Sequence, residues 1–273
     1  MRSSLVVPRV VTFVRFERDY FIPQQPVVIT GGAALLPAFS RWTDAHLLEA
    51  LKDLRPLVML ADGRRARMRF SDYLSYLANP EAYQSTTGPV YMTDLFLKPA
   101  FLGPALAALA LDALCPLPRP GEFVERVALF AGPKGTASAM HQDAFSPHVW
   151  VAQLRGEKAW RLCAPKDLEA ASAGKTDAFN DADNVGASVY ETLLKPGDVL
   201  YLPPDWWHQV RNESSSVAVF GHFWTYPDAH RWRDHTLTIA DEAFRHEWRE
   251  LWEAMLTSSP HASSDNIATQ PKA

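Results

Sequence analysis

Between residues 124 and 224 the apolar side chains come in short runs, each closed by glycine, proline or a polar turn. The runs cover 127–130, 149–154, 159–163, 199–202 and 217–224. They have the length of strands rather than of ordinary helices. Short strands spaced this regularly predict a sandwich or a closed barrel. The 21 prolines and nine tryptophans among 273 residues suit such a fold better than a helical bundle.

The flanks have another texture. Residues 26–32 read as a short strand ending in a glycine turn, and Thr43 is placed to cap a helix that begins at Asp44. Ser71 is expected to cap a second helix reaching Leu77. Residues 90–92 are strand-like, and 99–114 form an Ala/Leu-rich helical stretch. Residues 167–188, polar and poor in large apolar side chains, read as an excursion from the barrel that shapes recognition. Near the C-terminus Leu237, Phe244, Trp248, Leu251, Trp252 and Met255 make an apolar stripe at helical spacing. That stripe fits packing on the barrel and a homodimer interface equally well. The expected organisation is mostly β with flanking helices. It places mixed α/β elements in 1–123, the core in 124–226, a helical segment in 227–256 and a disordered tail in 257–273.

Charge excludes some functions. A net charge of −4 leaves no electrostatic footprint for nucleic acid or for an anionic membrane. The basic run Arg64-Arg65-Ala66-Arg67 reads as a solvated loop. No stretch approaches the roughly 20 apolar residues of a membrane helix. Cys115 and Cys163 have no paired spacing and read as reduced, so a soluble, cytoplasmic protein is expected.

Within the barrel region the segment Met140-His141-Gln142-Asp143-Ala144-Phe145 carries a histidine and a carboxylate two positions apart. On an extended chain those two side chains share a face. A third candidate follows Gly197-Asp198-Val199-Leu200-Tyr201-Leu202-Pro203-Pro204-Asp205-Trp206-Trp207, where a turn, a strand and a stiff proline corner lead to His208. Two imidazoles and one carboxylate leave open positions on a metal, as in non-haem Fe(II) oxygenases, although Zn(II) accepts the same ligands. Beyond the hairpin turn at Gly156, Lys158 alternates onto one face with Trp160 and Leu162. If that face points inward, the ammonium needs an anion, such as a dicarboxylate co-substrate. Otherwise Lys158 reaches solvent from the hairpin tip.

Taken in order, Gly132-Pro133-Lys134-Gly135-Thr136, His141-Gln142-Asp143, Gln153-Leu154-Arg155-Gly156-Glu157-Lys158 and Pro196 to His208 resemble the JmjC, cupin-like family of 2-oxoglutarate oxygenases. More narrowly, these residues resemble the hydroxylase branch typified by the asparaginyl hydroxylase of hypoxia-inducible factor, and the resemblance covers roughly residues 10 to 225, counting Pro26-Val27-Val28-Ile29 and Tyr91-Met92-Thr93-Asp94.

The resemblance implies a double-stranded β-helix (jelly-roll) core with helices outside. It implies that His141, Asp143 and His208 hold Fe(II), and that Lys158, Ser138 and Tyr91 bind the distal carboxylate of 2-oxoglutarate. His222 stands where the family has Asn or another polar group near the co-substrate; a core histidine is the other reading. Trp206, Trp207, Trp150 and Phe145 are candidates for the pocket wall. With O2, the implied reaction converts 2-oxoglutarate to succinate and CO2 and hydroxylates an unactivated C–H bond, expected in a protein or peptide side chain. Small-molecule hydroxylation, N-methyl demethylation, a cupin isomerase or zinc hydrolase, and a non-catalytic binding module are the alternatives. Asp in place of Glu as the carboxylate ligand favours hydroxylation.

Overall fold

The computed structural model describes residues 5–82, 89–97, 123–167, 177–180 and 188–225, together with the helical positions Glu242 and His246. The expected helix at 99–114, the apolar stripe from Leu237 to Met255 and the C-terminal tail lie outside the described residues. The chain divides into two compact units, one of residues 1–118 with 125–223 and one of 119–124 with 224–273. The elements below belong almost wholly to the first.

Two sheets make up its centre. The smaller has the order β1 (Leu5–Val6), β10 (Val189–Leu194), β9 (Lys158–Cys163) and β12 (Trp207–Asn212). The larger runs β2 (Arg9–Val10), β3 (Val27–Ile29), β11 (Val199–Leu202), β8 (His148–Arg155), β13 (Ser216–Thr225), β7 (Phe123–Gly132), β6 (Tyr91–Phe96), β4 (Leu57–Met59) and β5 (Arg65–Arg67). From β8 onward the chain passes back and forth between the sheets, with β9, β10 and β12 in one and β8, β11 and β13 in the other. That winding is a jelly roll.

Side chains alternate as the pleat requires, and the inward set is apolar. Val28, Val149, Val151, Leu200, Leu202, Ala218 and Phe220 from the large sheet meet Trp160, Leu162, Leu194 and Val210 from the small one. Each large side chain withdrawn from water in this way contributes about 1.5–3 kcal/mol. The hairpin between β8 and β9 needs its glycine. Gly156 has φ +69°, and a Cβ there would lie 2.1 Å from the Ser215 carbonyl oxygen.

The N-terminal strands extend the large sheet at both of its edges, β3 beside β11 and β6 beside β7. Arg9 anchors one side by pairing with the buried Asp198 at 2.5 Å, while Asp198 also accepts from the Lys195 amide at 2.9 Å. After the short helix α1 (Pro37–Arg41), helix α2 (Asp44–Leu51) is capped as expected, Thr43 Oγ1 accepting from the His46 amide at 3.2 Å. Helix α3 (Phe70–Ala78) corrects an expectation: it starts after Arg69, with no side-chain cap, and Ser71 lies inside it with its hydroxyl on Asp72. Buried Tyr73 pins α3 to the sheet, donating to the Ala131 carbonyl and accepting from the Met92 amide at 3.0 Å. Burial holds its phenol far above the usual range, so it remains a donor.

The basic run is exposed, as expected, but Arg65–Arg67 forms an edge strand rather than a loop. Charged side chains are a common way to blunt a sheet edge. Part of the 167–188 excursion is seated. Ala178 N donates to Gln209 Oε1 at 2.6 Å, Gln209 Nε2 donates to Asp177 at 2.9 Å, and Phe179 lies under the Arg211 guanidinium. None of the described helices is long and apolar enough to cross a membrane.

Candidate metal centre

His141 and Asp143 sit between β7 and β8 in a short segment that pairs with β12. Two isolated antiparallel bridges make the pairing, Ala137 with Arg211 and His141 with His208, the latter with N···O distances of 3.0 and 2.8 Å. It sets two imidazoles side by side, ring centroids 4.1 Å apart. Asp143 lies across from both. Its Oδ1 is 3.8 Å from His141 Nε2, and its Oδ2 is 3.7 Å from His208 Nε2. One ligand atom from each of the three residues lies within 4.8 Å of the others, so they form a group able to hold a metal ion.

The protonation pattern suits a cation. His141 Nδ1 is 2.8 Å from the Ala139 carbonyl, and His208 Nδ1 is 3.1 Å from the Trp206 carbonyl. A carbonyl only accepts, so both Nδ1 atoms carry a proton, which leaves each Nε2 as the nitrogen able to meet a metal. Burial, then the neighbouring His141, brings the His208 imidazole down to about 4, so it is neutral at physiological pH. Burial alone pushes the Asp143 carboxyl up, but His208, His222 and His141 together outweigh it and hold it below the usual carboxylate range. Two imidazoles with Nδ1 tied to backbone carbonyls, beside an ionised carboxylate, are a fitting donor set for a divalent metal of the iron or zinc kind.

The same barrel holds an ammonium in apolar surroundings, on β9. Lys158 is 0% exposed. Its burial removes the hairpin-tip reading, because the Lys158, Trp160 and Leu162 face points inward. Nζ lies 5.3 Å from the Phe220 ring centre, 5.8 Å from that of Tyr91 and 5.9 Å from that of Phe130. Its hydrogen-bond partner is the Tyr91 hydroxyl, at 3.4 Å. Desolvation lowers the amine to about 7. A buried cation ringed by aromatic groups, with no carboxylate bridged to it among the described residues, fits an anionic co-substrate.

The sequence-predicted residues thus fall into two sets. His141, Asp143, His208 and His222 converge, the last with Nε2 3.6 Å from Asp143 Oδ2. Lys158 and Tyr91 meet deeper in the barrel. Ser138 is tied to β12, where its hydroxyl accepts from the Val210 amide at 3.2 Å and keeps its own hydrogen to donate.

Among the proposed wall residues, Trp150 is fully buried but alternates away from the Val149 and Val151 face, so it packs behind the sheet. Trp206 joins the inner core. Trp160 and Phe220 do line the site. Trp160 stacks on His208 with ring centres 5.8 Å apart, and Phe220 faces Lys158. Sequence reasoning also passed over Asn212 and Thr136, whose side chains bond at 2.8 Å beside Tyr91. Asn212 shares the face of His208 at a spacing of i+4 along β12, which is the signal that identifies it.

Comparison with known proteins agrees with this architecture. Residues 14–230 match the model of the cupin-like domain. The chain is 30% identical over 233 residues to the lysine-specific demethylase JMJ30 of Arabidopsis thaliana, covering 77% of this chain and 52% of that protein. It is 25% identical over 248 residues to the 2-oxoglutarate and iron-dependent oxygenase JMJD4 of Gallus gallus, covering 78% and 58%. It is also 25% identical over 256 residues to the bifunctional arginine demethylase and lysyl-hydroxylase psr-1 of Caenorhabditis elegans, covering 80% and 60%. The chain spans a little over half the length of these curated relatives. It belongs to the cupin-like domain family, with Jumonji C proteins among its relatives.

Proposed function

We propose that this member of the cupin-like family is an Fe(II)- and 2-oxoglutarate-dependent oxygenase that hydroxylates an amino-acid side chain in a protein or peptide. The observation that carries the reading is the meeting of His141, Asp143 and His208 in one barrel with the buried ammonium of Lys158. A closed structural zinc site has no use for that lysine.

In this reading His141 Nε2, the Asp143 carboxylate and His208 Nε2 hold Fe(II), and Lys158 pairs with the distal carboxylate of 2-oxoglutarate. Tyr91 and Ser138 offer hydroxyl hydrogens to the same carboxylate, and His222 borders the centre. When bound, the iron and the co-substrate supply oxidative decarboxylation with O2, giving succinate and CO2 and the power to oxidise an unactivated C–H bond. The chain binds, orients and excludes water. The Nδ1–H bonds of His141 and His208 aim the Nε2 lone pairs, while Trp160, Phe130 and Phe220 keep the inner compartment dry.

A protein substrate is supported by the relatives, whose names include demethylases and hydroxylases of lysine and arginine. The same names favour a second outcome from the same site: hydroxylation of an N-methyl carbon, which releases formaldehyde and removes the methyl group. The test is a panel of plain and N-methylated peptides incubated with Fe(II), 2-oxoglutarate and air. Gain of one oxygen atom with matching succinate supports hydroxylation, and formaldehyde from the methylated peptides alone moves the reading to demethylation. Succinate coupled only to small molecules overturns the protein-substrate reading.

A further inference from the structure

We infer that His222 is a positioning residue of the metal centre, its Nε2–H donating to the Asp143 carboxylate oxygen that does not ligate the metal. This rests on the oxygenase reading above and gives His222 the metal's carboxylate, rather than the co-substrate, as its partner.

The residue's place is fixed by its neighbours in β13. His222 pairs with Val149 of β8 and shares the inward face with Ala218 and Phe220. On the opposite face Gly221 abuts Trp150 so closely that a Cβ would meet the indole nitrogen at 2.0 Å. Phe223 stacks on His148 with ring centres 5.0 Å apart. The backbone at 222 is therefore locked from behind, and the imidazole has only its own side-chain torsions with which to move.

Its ion-pair neighbour among the described residues is Asp143, with Nε2 3.6 Å from Oδ2, the oxygen that also lies 3.7 Å from His208 Nε2. That is just beyond a hydrogen bond, so the inferred contact has the carboxylate turn toward Nε2 about Cβ–Cγ. An aspartate that gives one oxygen to a metal has a second oxygen to satisfy, and an imidazole N–H beside it is a natural donor.

The geometry also argues against His222 as a fourth ligand. The mutually close ligand atoms come from His141, Asp143 and His208, without His222. A third imidazole would also use up one of the positions that make a two-histidine, one-carboxylate centre an open one. Holding Asp143 to a single oxygen keeps those positions available.

The experiment uses Co(II), which reports affinity and coordination number through its visible ligand-field bands, with the wild-type chain, H222F and H222Q. The expected result is that H222F binds Co(II) about 10- to 100-fold more weakly, the usual effect of losing an outer hydrogen bond to a metal ligand. Its coordination number is unchanged, and H222Q recovers most of the affinity because its amide N–H reaches the same oxygen. Thermal unfolding of the metal-free proteins separates this loss from misfolding, and H222A replaces H222F if the latter does not fold. Equal affinity in wild type and H222F overturns the inference while leaving the metal centre standing. A lower coordination number in H222F also overturns it, because His222 would then be a ligand. Failure of the wild type to take up Co(II) at all rejects the metal centre itself, and the inference with it.

Discussion

The main chains of His141 and His208 exchange both of their hydrogen bonds, so the two imidazoles are set side by side by backbone pairing before any ligand arrives. A metal meeting such a pair has little ordering cost left to offset, and losing either ring leaves the pairing intact. His208→Ala and Asp143→Ala should therefore fold while losing measurable Fe(II) or Co(II) uptake and all succinate formation. Calorimetric titration with metal, run beside circular dichroism, checks this. Unchanged metal affinity in either variant contradicts the assigned ligands.

Lys158 makes a separable prediction. Replacing it by Met removes a buried cation and keeps the volume of the side chain. Breaking a buried ion pair by deleting one partner costs about 3–5 kcal/mol, which is about 10²- to 4 × 10³-fold in 2-oxoglutarate affinity. Metal affinity should hardly change. The ligand-free variant should unfold at a higher temperature than the wild type at neutral pH, since the unpaired amine is a liability there. A variant that binds 2-oxoglutarate as well as the wild type refutes the role.

The same amine sets a pH dependence. In the ligand-free protein it titrates at about 7, lowered by desolvation from 10.5. Below that pH the ammonium is already present and 2-oxoglutarate affinity should be flat. Above it, binding has to take up a proton, so affinity should fall by up to tenfold per pH unit. The stability of the ligand-free chain should respond in the opposite sense. Between pH 7 and 10.5 the unfolded chain binds the extra proton, so this group makes folding more favourable as pH rises. Titrations of wild type against K158M, paired at each pH, isolate both effects. An affinity that rises through this window contradicts them.

Gly221 tests the packing behind the site. Any side chain there collides with the fully buried Trp150. Gly221→Ala should destabilise the protein by about 1–3 kcal/mol, the usual cost of overpacking a core. Urea unfolding measures it, and a midpoint equal to that of the wild type would show that β13 gives way more easily than the packing implies.

Much of this was legible in the sequence, and the remainder has physical reasons for having been hidden. The strand runs of the barrel, the spacing of His141 and Asp143, the proline corner before His208 and the face that Lys158 shares with Trp160 and Leu162 follow from periodicity and turn chemistry, whereas the inward direction of that face comes from its burial in the fold. Strand β10 escaped notice because Tyr190, Glu191 and Thr192 interrupt its apolar pattern, and all three are half-buried in the structure. The approach of His222 to Asp143 depends on the register between β13 and β8, which no local pattern encodes. The seating of residues 177–180 on Gln209 and Arg211 is likewise tertiary, being made by single polar contacts rather than by a repeating face.

The most direct measurement is an anaerobic titration of the Fe(II)-loaded chain with 2-oxoglutarate, followed by its visible charge-transfer absorption. The wild type should develop the band as the co-substrate chelates the iron, K158M should need far more co-substrate to reach it, and His208→Ala should show none. A wild-type protein that binds iron yet gives no band at saturating 2-oxoglutarate, and no succinate once air is admitted, contradicts the account.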